Sequence, residues 1–260
     1  MKILARGDCC SQRAISLNRE LFGGAPSVYA DEKQPVRFLL EKLDGNLPSQ
    51  SAVLKHLDQD ALNGIDRYYF ESQFTSNTLD LVGADLICMD SYADMNFKSY
   101  RHRREGWSAW VDPQLILDHA AFEEEFAFEP RPSMEQVIED TKRLIAHYRR
   151  INPGIPVLYL AQPVTWHPRF HRFAEFNKIG HVLASSIPGF FFGGIPRHKD
   201  LSPEDLDELG WTLHFDAPSY ARMIRNAVKS GLELPRIVNA AYLNNAVDII
   251  GGIPCPAVRF

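Results

Sequence analysis

The chain has no apolar run of the roughly 18–20 residues that a membrane-spanning helix needs, although hydrophobic residues make up 45% of its 260. With 23% charged residues, that share fits a globular chain with a sizeable core rather than a membrane or disordered one. A secretory leader needs an apolar stretch of about 7–15 residues, whereas here only Ile3-Leu4-Ala5 separates Lys2 from Arg6, so a cytoplasmic location is expected. Basic charge is not in excess: the formal net charge is −5, which gives no footprint for nucleic acid. The one basic cluster, Arg101-His102-Arg103-Arg104, runs straight into Glu105 and reads as a solvated loop. Cysteine is scarce. Cys9, Cys10, Cys88 and Cys255 form no CxxC pair, which argues against a zinc ribbon or a thioredoxin-type site, and cytosolic thiols stay reduced. GxxxxGK[ST], GxGxxG and GxSxG are absent too, removing the common phosphate cradles and the nucleophile elbow.

What is present alternates between strand and helix signals. Lys2 to Arg6 is a short apolar run before a Gly-Asp turn and reads as a first strand; Ser11 to Phe22 reads as a helix stopped by Gly23-Gly24. Ser27 to Ala30 fits a second strand, and Val36 to Leu43 and Ala52 to Leu62 fit two helices. Asp85 to Asp90 is a compact apolar run closed by acids, hence a strand, with Cys88 a buried small residue within it. Residues 91–132, rich in aromatics, acids and proline, read as an irregular insertion or lid. Ser133 and Gln136 form a capping box opening a helix that Asn152-Pro153-Gly154 stops, and Ile155 to Ala161 is a buried strand. Ser202-Pro203-Glu204-Asp205 has a helix-start pattern, and Pro218 to Lys229 is a helix ending near Gly231. This βαβ rhythm predicts one α/β domain over 1–260 with a mainly parallel sheet, the last stretch, 232–260, wrapping back over it.

In such a sheet the carboxyl ends of the strands hold the ligand. The turn Gly7-Asp8-Cys9-Cys10-Ser11 falls there, at the start of a helix whose positive end favours a thiolate and whose amides can hold an oxyanion. The alternative is that both cysteines are small residues packing a tight turn. A thiol nucleophile needs a base, and His214, late in the chain just before a helix, is the candidate. His167 and His171, four residues apart, could face one side of a helix and hold a metal, but Pro168 suits only a first turn and no HExxH occurs. Tyr92, Phe97, Trp107, Trp110 and Trp166 could line a sugar or acyl pocket or form a core.

Gly7-Asp8-Cys9-Cys10-Ser11 resembles the Gly-Asp-Ser opening of the SGNH (GDSL-type) hydrolases, with Cys9 in the place of the serine. It is closer still to SGNH-like bacterial proteins that open Gly-Ser-Cys-x-Ser-Arg and to polysaccharide-biosynthesis proteins that open Gly-Asn-Cys. Ala84 to Asp90 resembles the group's central strand, which ends in an acid, and Pro156 to Val164 the next strand. Arg172 and Asn177 match an Arg…Asn spacing after it, and Leu213-His214-Phe215 with Tyr220 resembles the C-terminal His block. The likeness runs from about residue 2 to 230 through short motifs. It implies a three-layer, flavodoxin-like α/β sandwich. It also implies an acyltransferase or esterase/thioesterase acting on a glycan or other hydroxylated small molecule. Cys9 would be the nucleophile, favoured over Cys10 by its position, with His214 the base and Asp216 or Asp207 orienting it. Cys10 and Asn96 would serve the oxyanion, and Asp8, Ser11, Ser91, Tyr92 and Trp166 the substrate. No tightly bound cofactor is expected; acyl-CoA would fit as co-substrate. Two departures stand out. Trp211 occupies the position, three before the His, where the hydrolases carry Asp, and Asp90-Ser91-Tyr92-Ala93-Asp94 replaces their Gly-x-Asn-Asp block. These departures favour a competing reading, a non-catalytic binding or assembly partner in a biosynthetic pathway. A metal-dependent hydrolase using His167 and His171 ranks third.

Overall fold

The structure is a computed structural model that describes residues 1–7, 9–32, 34–62, 67, 70–74, 83–161, 173–194 and 217–234. Its spine is a five-stranded sheet of β1 (Lys2–Gly7), β2 (Ser27–Glu32), β3 (Leu86–Met89), β7 (Val157–Leu160) and β8 (Phe190–Gly193), in the order β2-β1-β3-β7-β8. Every pairing in it is parallel. Strands β3 and β7 are buried along their whole length, which is why they read as unbroken apolar runs rather than alternating ones. Helices cover both faces. On one lie α1 (Cys9–Leu17) and α8 (Ala217–Lys229), packing Ala14, Ile15, Met223 and Ile224 onto Ile3, Ala5, Leu86 and Cys88. On the other lie α2 (Val36–Leu43), α6 (Met134–Ile151) and α7 (Phe173–Ser186), whose Leu39, Ile145 and Ile179 meet Leu4, Ile87 and Val157. This is the three-layer α/β sandwich with the strand order of flavodoxin-like folds. Among the described residues no helix is long and apolar enough to cross a membrane.

Several elements differ from the sequence reading. The first helix stops at Leu17, because the Asn18 amide donates to the Ala14 carbonyl at 3.1 Å and the chain tightens into a 3-10 turn, Arg19–Phe22. The helix expected over Ala52–Leu62 is only α3 (Gln50–Leu54). Beyond it the backbone of His56 to Asp58 bonds across to Leu115 and Leu117 instead of continuing the helix. Neither α7 nor β8 is assigned from the sequence. Gly180 interrupts the helical signal, and it is there because the rings of Phe192 and Tyr159 would lie 2.5–2.8 Å from any Cβ.

The largest difference falls in 91–132, which is regular rather than irregular. A short helix α4 (Tyr92–Asn96) is followed by β4 (Ser99–His102), β5 (Ser108–Trp110), α5 (His119–Glu125) and β6 (Phe126–Glu129), and the three strands form an antiparallel sheet in the order β5-β4-β6. It has its own core, in which Trp107, Phe122, Phe126 and Tyr100 pack with Val53 and Leu57. Trp107 is therefore a core residue stacked on His102 at 4.8 Å, not a pocket wall. Arg101 and His102 belong to β4, while Arg103 to Glu105 make the exposed hairpin turn, so half of the basic cluster is built into the sheet and half is the solvated loop expected.

Helix α2 holds this small sheet. Glu41 accepts from the Ser108 amide at 2.8 Å, the Ser108 hydroxyl at 3.0 Å and Arg101 Nη2 at 2.9 Å. Glu129 pairs with Arg101 Nε at 2.8 Å and with Arg37. Both carboxylates are largely buried, so they carry more than an exposed pair would. Glu41→Ala is expected to lower stability by about 2–3 kcal/mol, because it strips a buried amide of its acceptor and Arg101 of one of its acids. The readout is a lower urea midpoint at unchanged m value. Lys55→Ala, which breaks the exposed Lys55–Glu125 pair, is the matched control and should cost less than about 1 kcal/mol.

Candidate active site

Strand β1 lies between β2 and β3, with Gly7 opposite Glu32 and Arg6 opposite Met89. The chain leaves β1 toward α1 on one face of the sheet and leaves β2 toward α2 on the other. Connections that part to opposite faces open a crevice at the carboxyl edge, and that crevice is where α/β sheets of this order bind ligands. Cys9 and Cys10 are the first two residues of α1 at this edge.

The floor of the turn is Asp90, the residue after β3, which is 2% exposed. Its amide donates to the Arg6 carbonyl at 3.1 Å, adding one rung to the ladder between β3 and β1. Its carboxylate takes the Ser11 hydroxyl at 2.6 Å on Oδ2 and the Tyr92 amide at 3.0 Å on Oδ1. It also lies flat against Gly7: a Cβ there would sit 2.6 Å from Cγ. Gly7 has φ of 127°, a conformation other residues strain to adopt. One strand further along, the buried Tyr159 hydroxyl donates to Ser91 Oγ at 2.8 Å. Burial, followed by the charge of Asp90, pushes the Cys88 thiol up, so Cys88 is an inert core thiol.

The opposite face of the same edge carries a second set of buried polar groups. Arg6 is 5% exposed, with its guanidinium 5.2 Å from the Tyr148 ring centroid, and burial lowers its basicity. Burial, then the nearby Arg6 charge, brings Lys42 down to about 7; its ammonium donates to Gln34 Oε1 at 2.7 Å. Asp94 is pushed up to about 7 by burial and by Asp90 and Asp140, against the pull of the Val36 amide that it accepts at 2.7 Å. Clustered, perturbed ionisable groups of this kind concentrate at functional edges.

The sequence-assigned site residues fall into three groups. Cys9 and Cys10 are the first two residues of α1, two positions before the helix start read at Ser11. Ser11 and Ser91, assigned to substrate, are fully buried, and their hydroxyls hold Asp90 and Tyr159 instead of facing a ligand. Tyr92 is partly buried against the core with its ring 6.2 Å from Phe97, and the Asn96 amide, assigned to the oxyanion, donates to the Tyr92 carbonyl of its own helix at 3.1 Å. Asp8, Trp166, Asp207, His214 and Asp216 lie outside the described residues, as do His167, His171, Arg172, Trp211 and Cys255. Asp90, Asp94, Tyr159, Arg6 and Lys42 were not assigned to the site. The available signal was the acid closing an apolar strand at Asp90 and the cation ending β1 at Arg6. Among the described residues no group of three or more His, Cys, Asp or Glu side chains could hold a metal ion.

No protein-family description matches the chain, and no curated protein does. Several solved structures align with it, among them two with provisional assignments. One is a Bacteroides fragilis protein provisionally assigned as an acylhydrolase, with 10% identity, a TM-score of 0.43, and coverage of 88% of this chain and 85% of that one. The other is a Parabacteroides merdae protein provisionally assigned as a GDSL-like lipase, with 13% identity, a TM-score of 0.43, and coverage of 88% and 94%. Neither alignment assigns a reaction to this chain.

Two outcomes test the edge. Gly7→Ala is expected to cost about 2 kcal/mol or more, because it combines an unfavourable φ with a collision against Asp90; thermal unfolding at fixed pH reads it. Asp94 has a folded-state value near 7, above the value near 4 of an unfolded chain. The folded chain therefore holds the proton more tightly, and stability falls as pH rises from about 4 to 7. Asp94→Asn keeps an acceptor for the Val36 amide and removes that slope, so its Tm should rise relative to wild type between pH 5 and pH 8. Parallel Tm curves would contradict the burial of an uncompensated carboxyl here.

Proposed function

We propose that the chain is an acyl-transfer enzyme, an acyltransferase or an esterase/thioesterase, with Cys9 as nucleophile and a glycan or other hydroxylated small molecule as substrate. The observation that carries this reading is the start of α1 at Cys9 on the carboxyl edge of β1, where the connections to β2 and β3 part to opposite faces. The thiol of Cys9 adds to an acyl carbonyl as His214 takes its proton. Amides at the start of α1, Cys10 among them, hold the oxyanion. Collapse expels the donor's alcohol or thiol, which leaves with the proton from His214. The thioester then passes its acyl group to a sugar hydroxyl or to water, and His214 removes the proton from the acceptor. Asp216 or Asp207 orients His214. A thiol nucleophile exchanges readily with thioesters, which favours an acyl-CoA donor and transfer in the cytoplasm over hydrolysis.

A second reading, a non-catalytic binding partner in a biosynthetic pathway, is favoured by Trp211 at the Asp position and by the Asn96 amide being turned onto its own helix. Iodoacetamide alkylation across pH, mapped by mass spectrometry in wild type, Cys9→Ala and His214→Ala, separates the two. The enzyme reading expects selective reaction of Cys9 below the ordinary thiol value of about 8.5, lost in His214→Ala. A Cys9 no more reactive than Cys255 would sink it and put the binding partner first.

A further inference from the structure

The proposed reaction uses Cys9 at the β1–α1 turn, and a tightly held ionisable group of this edge, Asp90, lies against that turn. The Asp90 carboxylate accepts from the Ser11 hydroxyl of α1 and from the Tyr92 amide of α4, its backbone amide donates to the Arg6 carbonyl of β1, and it fills the space that a Cβ on Gly7 would need. A carboxylate here adds what main chain lacks, which is an ionisable acid whose charge has only 2% exposure to screen it. We propose that Asp90 is a positioning residue: it locks the first turn of α1 through Ser11 and sets a fixed negative charge under the nucleophile turn. This rests on Cys9 being the nucleophile.

Two consequences follow from chemistry. First, the hydroxyl–carboxylate bond at 2.6 Å is a short, charge-assisted one, and it ties the third residue of α1 to the end of β3, so the amides that would hold an oxyanion cannot drift from the strand ends. Second, a buried anion opposes a second anion nearby. Its influence already reaches the ionisable groups around it: Cys88 on β3, Asp94 on α4 and Tyr159 on β7 are each pushed toward their neutral forms in part by Asp90. The start of α1 favours a thiolate and a charge on Asp90 opposes it, so Asp90 sets the ionisation of Cys9 higher than the helix start and the base alone would.

The test compares wild type, Asp90→Asn and Ser11→Ala by the pH midpoint of Cys9 alkylation and by hydrogen exchange of the first-turn amides of α1. Asp90→Asn keeps the shape and removes the charge. Its Cys9 midpoint should fall by about one pH unit, which is about tenfold faster alkylation well below the midpoint. Ser11→Ala keeps the charge and removes the tie, so exchange in the first turn should quicken at least severalfold while the midpoint does not fall. If Asp90→Asn leaves the midpoint in place, or if both variants move it alike, Asp90 is only structural and the proposal is overturned, with the Cys9 reading intact. If Cys9 does not titrate in wild type, the nucleophile reading fails by itself. Exchange then judges the tie alone: unchanged exchange in Ser11→Ala overturns the positioning role, and faster exchange supports it. Should Asp90→Asn fail to fold, Ser11→Ala still decides the tie by the same criterion.

Discussion

Between the carboxyl ends of β1 and β3 there is no room for a side chain on Gly7, and the polar groups of this edge are arranged around that closeness. The sheet is buried on both faces, so its strand ends present dehydrated amides and carbonyls that need partners. Asp90 meets this need three times over, by donating its amide to Arg6 and by accepting from Tyr92 and Ser11. The contact with Gly7 follows from the same geometry. The carboxylate can reach α1 only by lying across β1, and β1 can leave the sheet toward α1 at that point only through a residue that tolerates φ of 127°. One glycine and one aspartate therefore fix where the first helix begins, and with it where Cys9 stands.

The alternation of side chains along β1 divides the chemistry of this edge between its two faces. Leu4 and Arg6 point toward α2 and α6, and Ala5 and Gly7 toward α1. On the α1 face the charge is a carboxylate tied by hydrogen bonds. On the other face it is a cation stacked on Tyr148, near a lysine and an acid, Asp94, whose ionisation burial has disturbed. Buried charges contribute less to stability than apolar residues of the same size. Elsewhere β3 and β7 are wholly buried and carry no charged side chain, so the concentration of such groups at one edge needs a reason other than folding, and a ligand-binding crevice is one.

The parts of the fold visible in the sequence are those set by local pattern. Apolar runs at Lys2–Arg6, Asp85–Asp90 and Ile155–Ala161 placed three central strands, and the Val36–Leu43 periodicity placed α2 with the same ends as in the structure. The Ser133 cap accepting from the Gln136 amide at 3.2 Å is the start that the sequence indicated for α6. What pattern could not show depends on partners far along the chain. Strands β4 to β6 contain Arg101, Ser108 and Glu129, which look like loop residues until Glu41, some sixty residues away, is seen to pair with two of them. Ser11 and Ser91 look like ligand-facing hydroxyls beside a turn. Only the adjacency of β1, β3 and β7 turns them inward onto Asp90 and Tyr159.

Helix α2 joins these observations, because its two ends are held by different parts of the molecule. Its first amide, Val36, is bonded by Asp94 at 2.7 Å, beside the carboxyl edge. Its last turn carries Glu41, which grips the small sheet, and Lys42, which answers to Arg6 through charge and to Gln34 through a hydrogen bond. A rigid helix of eight residues held this way cannot shift at one end without disturbing the other. Protonation of Asp94 weakens its hold on the Val36 amide, and the geometry of α2 then passes any movement on to the Glu41 contacts. The antiparallel sheet is thus tied through α2 to the carboxyl edge of the main sheet, even though its aromatic core is separate from that of the main sheet. This explains why the chain commits two arginines and two buried glutamates to a contact that apolar packing alone could have made: directional ionic bonds fix the orientation of the sheet as well as its attachment.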